Sequence, residues 1–458
     1  MFFIFIKKKI NIFGKLMNII LENNNAILSY LSLIIFIISY ILVICENFLS
    51  LKKCIFVIFA SGLIWFIIGI MSFDNNNEIL IMKNAIIHYF YTYINLFLFL
   101  LISMIYINVL KERNFFLIIS KWVIKKKINS KKLFLLIGFF SFFLSPIIDN
   151  LTTALIASSI IISIDEKNNK FINLCCINIV IASNAGGAFS PFGDITTLMV
   201  WQYGILNFID FFKILIPSFF SFLIPCLIIY LFVDKKNFIV NNIDIVDNIK
   251  FGSKRIICLF ILTIIITIFF EHYLSLPASM GMMTGFVFLC FFGLYIKNKE
   301  KNKNNESFDI FKNFEKIEWD TLLFFYGIIM VIGGLATLGY LKNLSFFLYE
   351  KNFLEIDKDL NITFSNIIIG ILSAFIDNIP VMFSILTMNP EMSKFQWLLV
   401  TLTTGIGGSL LSIGSAAGVA LMGYNRGIYT FISHLKWSWV IIIGYFLGIY
   451  FHIIINKF

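Results

Sequence analysis

Apolar runs of about 20 residues recur along this chain, each long enough to cross a bilayer core of roughly 30 Å as an α-helix. Ten stand out: 26–45, 54–71, 85–110, 174–200, 211–233, 256–270, 278–296, 319–341, 397–423 and 437–456. A water-soluble domain has no reason to repeat that length so often. In lipid the backbone satisfies its own hydrogen bonds only as helices or as a closed barrel. The runs are continuous rather than alternating, which selects helices. Composition agrees, because 59% of the 458 residues are hydrophobic and only 14% are charged, against about 25% charged in an average soluble domain. The expected fold is all-α integral membrane, with about 10 transmembrane helices.

The net charge of +10 would suit nucleic acid, but the basic residues lie in short loops between the runs. There they set topology and meet anionic headgroups. The expected partner is the lipid bilayer, with no nucleic acid. The seven cysteines (Cys45, Cys54, Cys175, Cys176, Cys226, Cys258 and Cys290) sit in or beside apolar segments. Their count is odd and their spacing suits no metal, so they read as small hydrophobes. The richness in Ile, Phe, Asn and Lys reads as a compositional bias, and Asn-rich loops such as 74–77 and 302–305 carry no site argument.

Two further apolar stretches, 133–164 and 363–388, are each interrupted near the middle by a polar tip, Asp149-Asn150 and Asp377-Asn378. A stretch broken there can dip into the membrane and return on the same side as a helical hairpin, if it is buried in protein or faces a cavity. The two are related. One reads Ser145-Pro-Ile-Ile-Asp149-Asn150-Leu-Thr-Thr and the other Ser373-Ala-Phe-Ile-Asp377-Asn378-Ile-Pro-Val. Each is followed by a glycine-rich break in the next run, at Asn184–Asp194 and Thr404–Ser415. In both breaks a Gly-Gly pair precedes five residues and a third glycine, which sets Asp194 opposite Ser415. The chain therefore reads as a duplication: residues 26–233 and 256–456 are two inverted-topology repeats, each with a re-entrant hairpin and a broken helix. Interrupted segments at matching places in two halves point to a binding site near the midplane.

Loop charges support this topology. The segments 46–53, 111–132, 165–173, 234–255, 297–318 and 424–436, placed in the cytoplasm, hold 25 of the 36 Lys and Arg. Four of the others are Lys7, Lys8, Lys9 and Lys15, which fall on the wrong side. Residues 1–25 are thus an N-terminal segment of unclear placement, either a short extra helix or a start region; no small-residue cleavage site marks a removed signal.

Of the 26 Asp and Glu, three lie deep within apolar stretches: Asp149, Asp194 and Asp377. A carboxylate at mid-membrane costs roughly 2.5–3.5 kcal/mol on insertion scales, and its default reading is a functional site with a partner. No Lys or Arg lies in the interior of a run, so the partner reads as a transported cation, a proton, or both. Neutral oxygens surround these acids. Asn150, Thr152, Thr153, Asn184, Ser190, Thr196 and Thr197 lie in the first repeat, and Ser373, Asn378, Thr404, Ser409, Ser412 and Ser415 in the second. Hard oxygen ligands suit a small alkali cation, whereas a transition metal would want sulfur or imidazole. Any one of these side chains alone reads as local helix glue. Pro380 could make Asp377 part of a mere kink. Glu46 and Glu112 read as solvated helix ends. His88, His272, His434 and His452 fall near expected interfaces and form no cluster.

At these residues the sequence resembles the NhaD-type sodium/proton antiporters of the ion-transporter superfamily. The stretches that carry the resemblance are Ser145–Thr153, Asn184–Thr197, Glu318–Gly327, Ser373–Pro380 and Gly405–Gly418, with Tyr106-Ile-Asn and Glu112-Arg113 beside them. It runs from about residue 30 to the C-terminus, and the family's full first hydrophobic segment is what residues 1–25 lack. The resemblance implies the superfamily fold and exchange of Na+ (or Li+) for H+ across a bacterial cytoplasmic (inner) membrane, hence a role in pH homeostasis. It implies a secondary transporter rather than an enzyme, with no cofactor and with a homodimer allowed. The matching positions are Asp149, Asn150, Asn184, Asp194, Thr196, Thr197, Ser373, Asp377, Asn378, Ser412 and Ser415. To these the reading of the residues adds Thr152, and it takes Asp149 and Asp194 as the Na+ ligands.

The expected mechanism is competition. Burial penalises the ionised carboxylate and a bound cation favours it, so the cluster holds protons or Na+ but not both comfortably. Its titration belongs to the cluster rather than to one residue. Loss of two protons per Na+ would make exchange electrogenic. A sodium-coupled anion or dicarboxylate symporter shares the superfamily fold but should show neutral or cationic groups at the site. An intramembrane aspartyl protease also needs paired Asp in spans, but its Gly-x-Gly-Asp pattern lacks the first glycine at Pro191-Phe192-Gly193-Asp194.

Overall fold

The computed structural model of the chain describes residues 25–44, 46, 51–73, 75–116, 128–164, 168–235, 250–300, 308–351 and 357–456. The segment 1–25 falls almost wholly outside them, as does Cys45. Among the described residues the chain is helical, with no strand. In chain order the helices are α1 (Asn25–Ile44), α2 (Lys53–Met71), α3 (Asn76–Glu112), α4 (Ser130–Leu144), α5 (Asn150–Ile164), α6 (Asn169–Gly187) and α7 (Ile195–Gln202). A 3-10 turn at Phe208–Ile214 leads into α8 (Leu215–Leu231), followed by α9 (Ser253–Leu274) and α10 (Ala278–Glu300). Next come α11 (Trp319–Thr337), α12 (Tyr340–Ser345), α13 (Lys358–Leu372), α14 (Asn378–Met388), α15 (Lys394–Gly407), α16 (Ala416–Tyr424), α17 (Phe431–Leu435) and α18 (Ser438–Asn456).

Eight helices among the described residues are long and apolar enough to cross a membrane, which makes this an integral membrane protein. They are α1, α2, α3, the segment from Phe208 through α8, α9, α10, α11 and α18. Two of the ten apolar runs are missing from that set because each is cut in two. Run 174–200 becomes α6 and α7, and run 397–423 becomes α15 and α16. The polar-tipped stretches 133–164 and 363–388 become the helix pairs α4/α5 and α13/α14. Run 85–110 is longer than expected: α3 has 37 residues, or about 55 Å at 1.5 Å per residue.

Local signals explain the boundaries. The Asn129, Asn168 and Ser393 side chains accept from the third N–H of α4, α6 and α15, covering amides that a helix start leaves open. Pro380 stands in the first turn of α14, where its missing N–H costs no helical hydrogen bond, so it marks a helix start and not a kink.

Packing divides the described residues into two compact units. The first holds the residues up to Ile94 together with Glu318–Leu344. Its core is Ala60, Ile64 and Ile68 of α2 against Val331 and Leu335 of α11, and Trp65 Nε1 donates to the Met330 carbonyl at 2.9 Å. The second holds Asn95–Ile317 and the chain from Ser345 onward, which includes both helix pairs and both broken helices. These units follow packing, whereas the expected repeats 26–233 and 256–456 follow chain order.

Within the second unit the end of α3 is locked rather than simply solvated. Glu112 Oε2 accepts from Asn313 Nδ2 at 2.9 Å and lies 3.6 Å from Lys316 Nζ. The buried Arg113 pairs with Glu300 at 2.6 Å and stacks on the Phe308 ring. In the first unit Glu46 accepts from the Lys53 backbone N–H. Two histidines also depart from expectation: His88 and His272 are exposed, but His434 and His452 are fully buried. The six described cysteines are free thiols.

Candidate functional site

The first break runs from Ala188 to Asp194 between α6 and α7. Helix α6 stops where two glycines bring it onto the first helix pair. A Cβ on Gly186 would lie 2.2 Å from the Phe142 carbonyl oxygen, and one on Gly193 2.6 Å from that of Ser145. Side chains complete the joint. Ser145 Oγ donates to the Ser183 carbonyl at 2.6 Å, Ser190 Oγ to that of Pro146 at 2.7 Å, and the Asn150 backbone N–H to that of Gly193 at 3.1 Å. Asp194 ends the break as the N-cap of α7, its Oδ1 accepting from the Thr196 backbone N–H at 3.0 Å. It is 3% exposed, so its ionised form has lost almost all its water.

The second break, Gly408 to Ser415 between α15 and α16, is built on the same plan. A Cβ on Gly407 would lie 2.0 Å from the Gly370 carbonyl oxygen, and one on Gly414 2.7 Å from that of Ala374. In the alignment of the two segments Gly407/Gly370 matches Gly186/Phe142, and Gly414 meets the Ala374 Cα at 2.8 Å as Gly193 meets that of Pro146 at 2.8 Å. Ser373 Oγ donates to the carbonyls of Gly370 and Thr404, as Ser145 does to that of Ser183. Ser415 caps α16 with φ −145° and ψ 150°, beside −140° and 136° for Asp194. The expected pairing of Asp194 with Ser415 thus holds at the level of the backbone.

The two breaks meet through amides. Asn378 Nδ2, at the start of α14, lies 3.4 Å from Asp194 Oδ2. Asn184 on α6 accepts from Asn150 Nδ2 at 3.1 Å and donates to Ser415 Oγ at 2.9 Å. The Thr196 hydroxyl lies beside the Asp194 carboxylate, and those of Asp149 and Asp377 are near enough to act on it electrostatically. Both are half-buried. Asp149 Oδ1 accepts from the Thr152 backbone N–H at 2.8 Å. Among the described residues no lysine or arginine pairs with Asp194.

The structure therefore gathers the buried Asn150, Asn184, Asp194, Thr196, Asn378 and Ser415 and the half-buried Asp149 and Asp377 into one region. Other candidates face elsewhere. Thr197 donates to the Ala188 carbonyl, Ser373 to main-chain carbonyls, and Ser412 to Met422 Sδ at 3.3 Å; these hydroxyls hold the breaks in shape. Thr152 contributes its backbone. His434, which the sequence shows only as one of four scattered histidines near an expected interface, bonds a carbonyl of the second break; a lone histidine in a loop gives no signal of burial.

A buried acid cluster between interrupted helices, in a chain with eight helices among the described residues long and apolar enough to cross a membrane, defines a multi-pass membrane transporter. A family model described as "Citrate transporter" matches residues 40–405. The chain is 44% identical to "Na(+)/H(+) antiporter NhaD" of Vibrio cholerae, over 95% of this chain and 94% of that protein. It is 46% identical to "Na(+)/H(+) antiporter NhaD" of Vibrio parahaemolyticus, over 85% and 96%, and 30% identical to "Sodium/proton antiporter 1" of Arabidopsis thaliana, over 72% and 56%. The chain belongs to the NhaD antiporter family.

Proposed function

We propose that this protein exchanges Na+, or Li+, for H+ across a bacterial cytoplasmic membrane, with Asp194 and Asp149 as the carboxylates that cation and proton contest. One observation carries the reading: Asp194 is buried at a helix break, held by N–H donors of Thr196 and Asn378, with no cationic side chain paired to it among the described residues. An ionised carboxylate kept from water is costly unless compensated. A proton removes that cost, and so does a bound Na+. The two therefore exclude each other at the same oxygens. Asn150, Asn184, Asp377, Asn378, Thr196 and Ser415 complete the proposed site. Thr152, Thr197, Ser373 and Ser412 shape it. Near-full-length identity to named NhaD antiporters supports the same exchange.

The finer architecture belongs to this proposal: two inverted repeats, 26–233 and 256–456, with α4/α5 and α13/α14 as re-entrant hairpins. The matched glycine contacts of the two breaks support the duplication. A homodimer is compatible with it.

The test is Na+-driven proton movement in inverted membrane vesicles. Asp194→Asn and Asp149→Asn should each abolish it, and full activity in both would overturn the proposal.

A second reading, sodium-coupled citrate or dicarboxylate symport, draws on the description of the matching family model. It also draws on the helix N-termini at α5, α7, α14 and α16, whose positive ends suit anions. Three of those ends are already engaged, by Asp149, Asp194 and Ser415, which disfavours a carboxylate substrate there. Uptake of labelled citrate into proteoliposomes decides between the two.

A further inference from the structure

The second break lacks a hydroxyl that the first one has. In the first, the Ala188 carbonyl accepts from Thr197 Oγ1 at 3.0 Å. The alignment of the Gly-Gly pairs puts Ser409 at the place of Ala188 and Gly418 at that of Thr197. Gly418 cannot bear the missing group, because a Cβ there would lie 2.2 Å from the Ser412 carbonyl oxygen. The Ser409 carbonyl would then be left without a donor in a dry interior, at a cost of about 1–3 kcal/mol.

The donor comes from a separate loop. His434 Nε2 lies 2.9 Å from the Ser409 carbonyl oxygen, and the Tyr429 hydroxyl lies 2.7 Å from Nδ1. A carbonyl can only accept, so Nε2 carries the proton and Nδ1 accepts from Tyr429. His434 is 0% exposed. Burial pushes its imidazole down to about 4, so at neutral and alkaline pH it is an uncharged N–H donor and not a charge sensor. Ser438 Oγ holds the next carbonyl, that of Leu410, at 2.7 Å. The same loop is anchored to the first repeat. Asn425 Nδ2 lies 2.8 Å from Ser158 Oγ and 3.3 Å from Cys176 Sγ, and Ser433 Oγ donates to Asn173 at 2.8 Å.

We infer that His434 is a positioning residue for the exchange, supplying the N–H that position 418 cannot, and so holding the second break in the shape that presents Ser415 to Asn184. This rests on the proposed exchange at the two breaks.

The experiment measures Na+-driven proton movement in inverted vesicles for wild type, His434→Leu and His434→Gln across alkaline pH. In His434→Leu the KM for Na+ should rise about ten-fold, with the maximal rate within about two-fold of wild type. His434→Gln, which keeps an N–H, should return KM to within about three-fold. Neither variant should move the pH profile. An unchanged KM in His434→Leu overturns the inference, and so does glutamine behaving like leucine or a shifted profile. If His434→Leu does not reach the membrane, Tyr429→Phe carries the test, because losing the hydroxyl that fixes the tautomer should raise KM about three-fold; an unchanged value overturns the inference. Absence of exchange by wild type removes the proposed function instead.

Discussion

The two breaks share a frame and differ in what they carry. Gly186 and Gly407 press on main-chain carbonyls of their neighbouring helix pairs at the same point, and Asp194 and Ser415 cap the next helix with nearly the same backbone angles. Yet one cap is an acid and the other a hydroxyl. The amides differ too: Asn378 reaches across to Asp194, while its counterpart Asn150 reaches Asn184. Steric closeness is common to both breaks because it builds the break. The capping carboxylate sits in one break only, since a second dry carboxylate at Ser415 would add a desolvation cost.

The comparison breaks first at the acid. Asp194→Asn should lower Na+-driven proton flux about 100-fold or more, while Ser415→Ala costs about ten-fold at most; comparable losses would mean that the two caps are functionally alike. Exchanging the pair, Asp194→Ser with Ser415→Asp, should leave flux about 100-fold down as well, because Asn378 still faces the first break. Recovery in vesicles would show that either cap can host the charge. Next come the shared glycines. Gly186→Ala and Gly407→Ala should each destabilise the purified protein by about 2–3 kcal/mol through overpacking, read as lowered thermal unfolding in detergent. Tolerance of one and not the other would sink the common frame. The smallest effects belong to the amides, where Asn378→Ala should raise the KM for Na+ about ten-fold and Asn150→Ala about three-fold. Reversal of that order would move the centre of the site toward Asn184.

Much of this was legible beforehand, for physical reasons. Membrane-crossing helices must be long and apolar, so α1, α2, α8 to α11 and α18 announce themselves. A buried acid in an apolar stretch is rare enough to mark Asp149, Asp194 and Asp377 without a structure. Spacing between glycines revealed the match of Asp194 with Ser415, because close packing leaves a pattern in residue size. Side-chain direction left no such pattern. Nothing in the order of residues tells that Asn378 faces Asp194, or that the Ser412 hydroxyl turns to Met422. Arg113 and Glu300 lie 187 positions apart, and their pairing depends on packing alone. The burial of His434 was hidden because burial of a loop residue is decided by what folds over it.

The glycine contacts also have a mechanical meaning. With no side chain between Gly186 and Phe142, or between Gly407 and Gly370, each helix pair meshes with its broken helix like gears without backlash. Close-packed interiors transmit displacement rather than absorb it. A fraction of an ångström gained at Asp194 when a proton leaves and a cation arrives would pass through Gly193 to Ser145, turning a change of occupant into a push on the neighbouring helix pair.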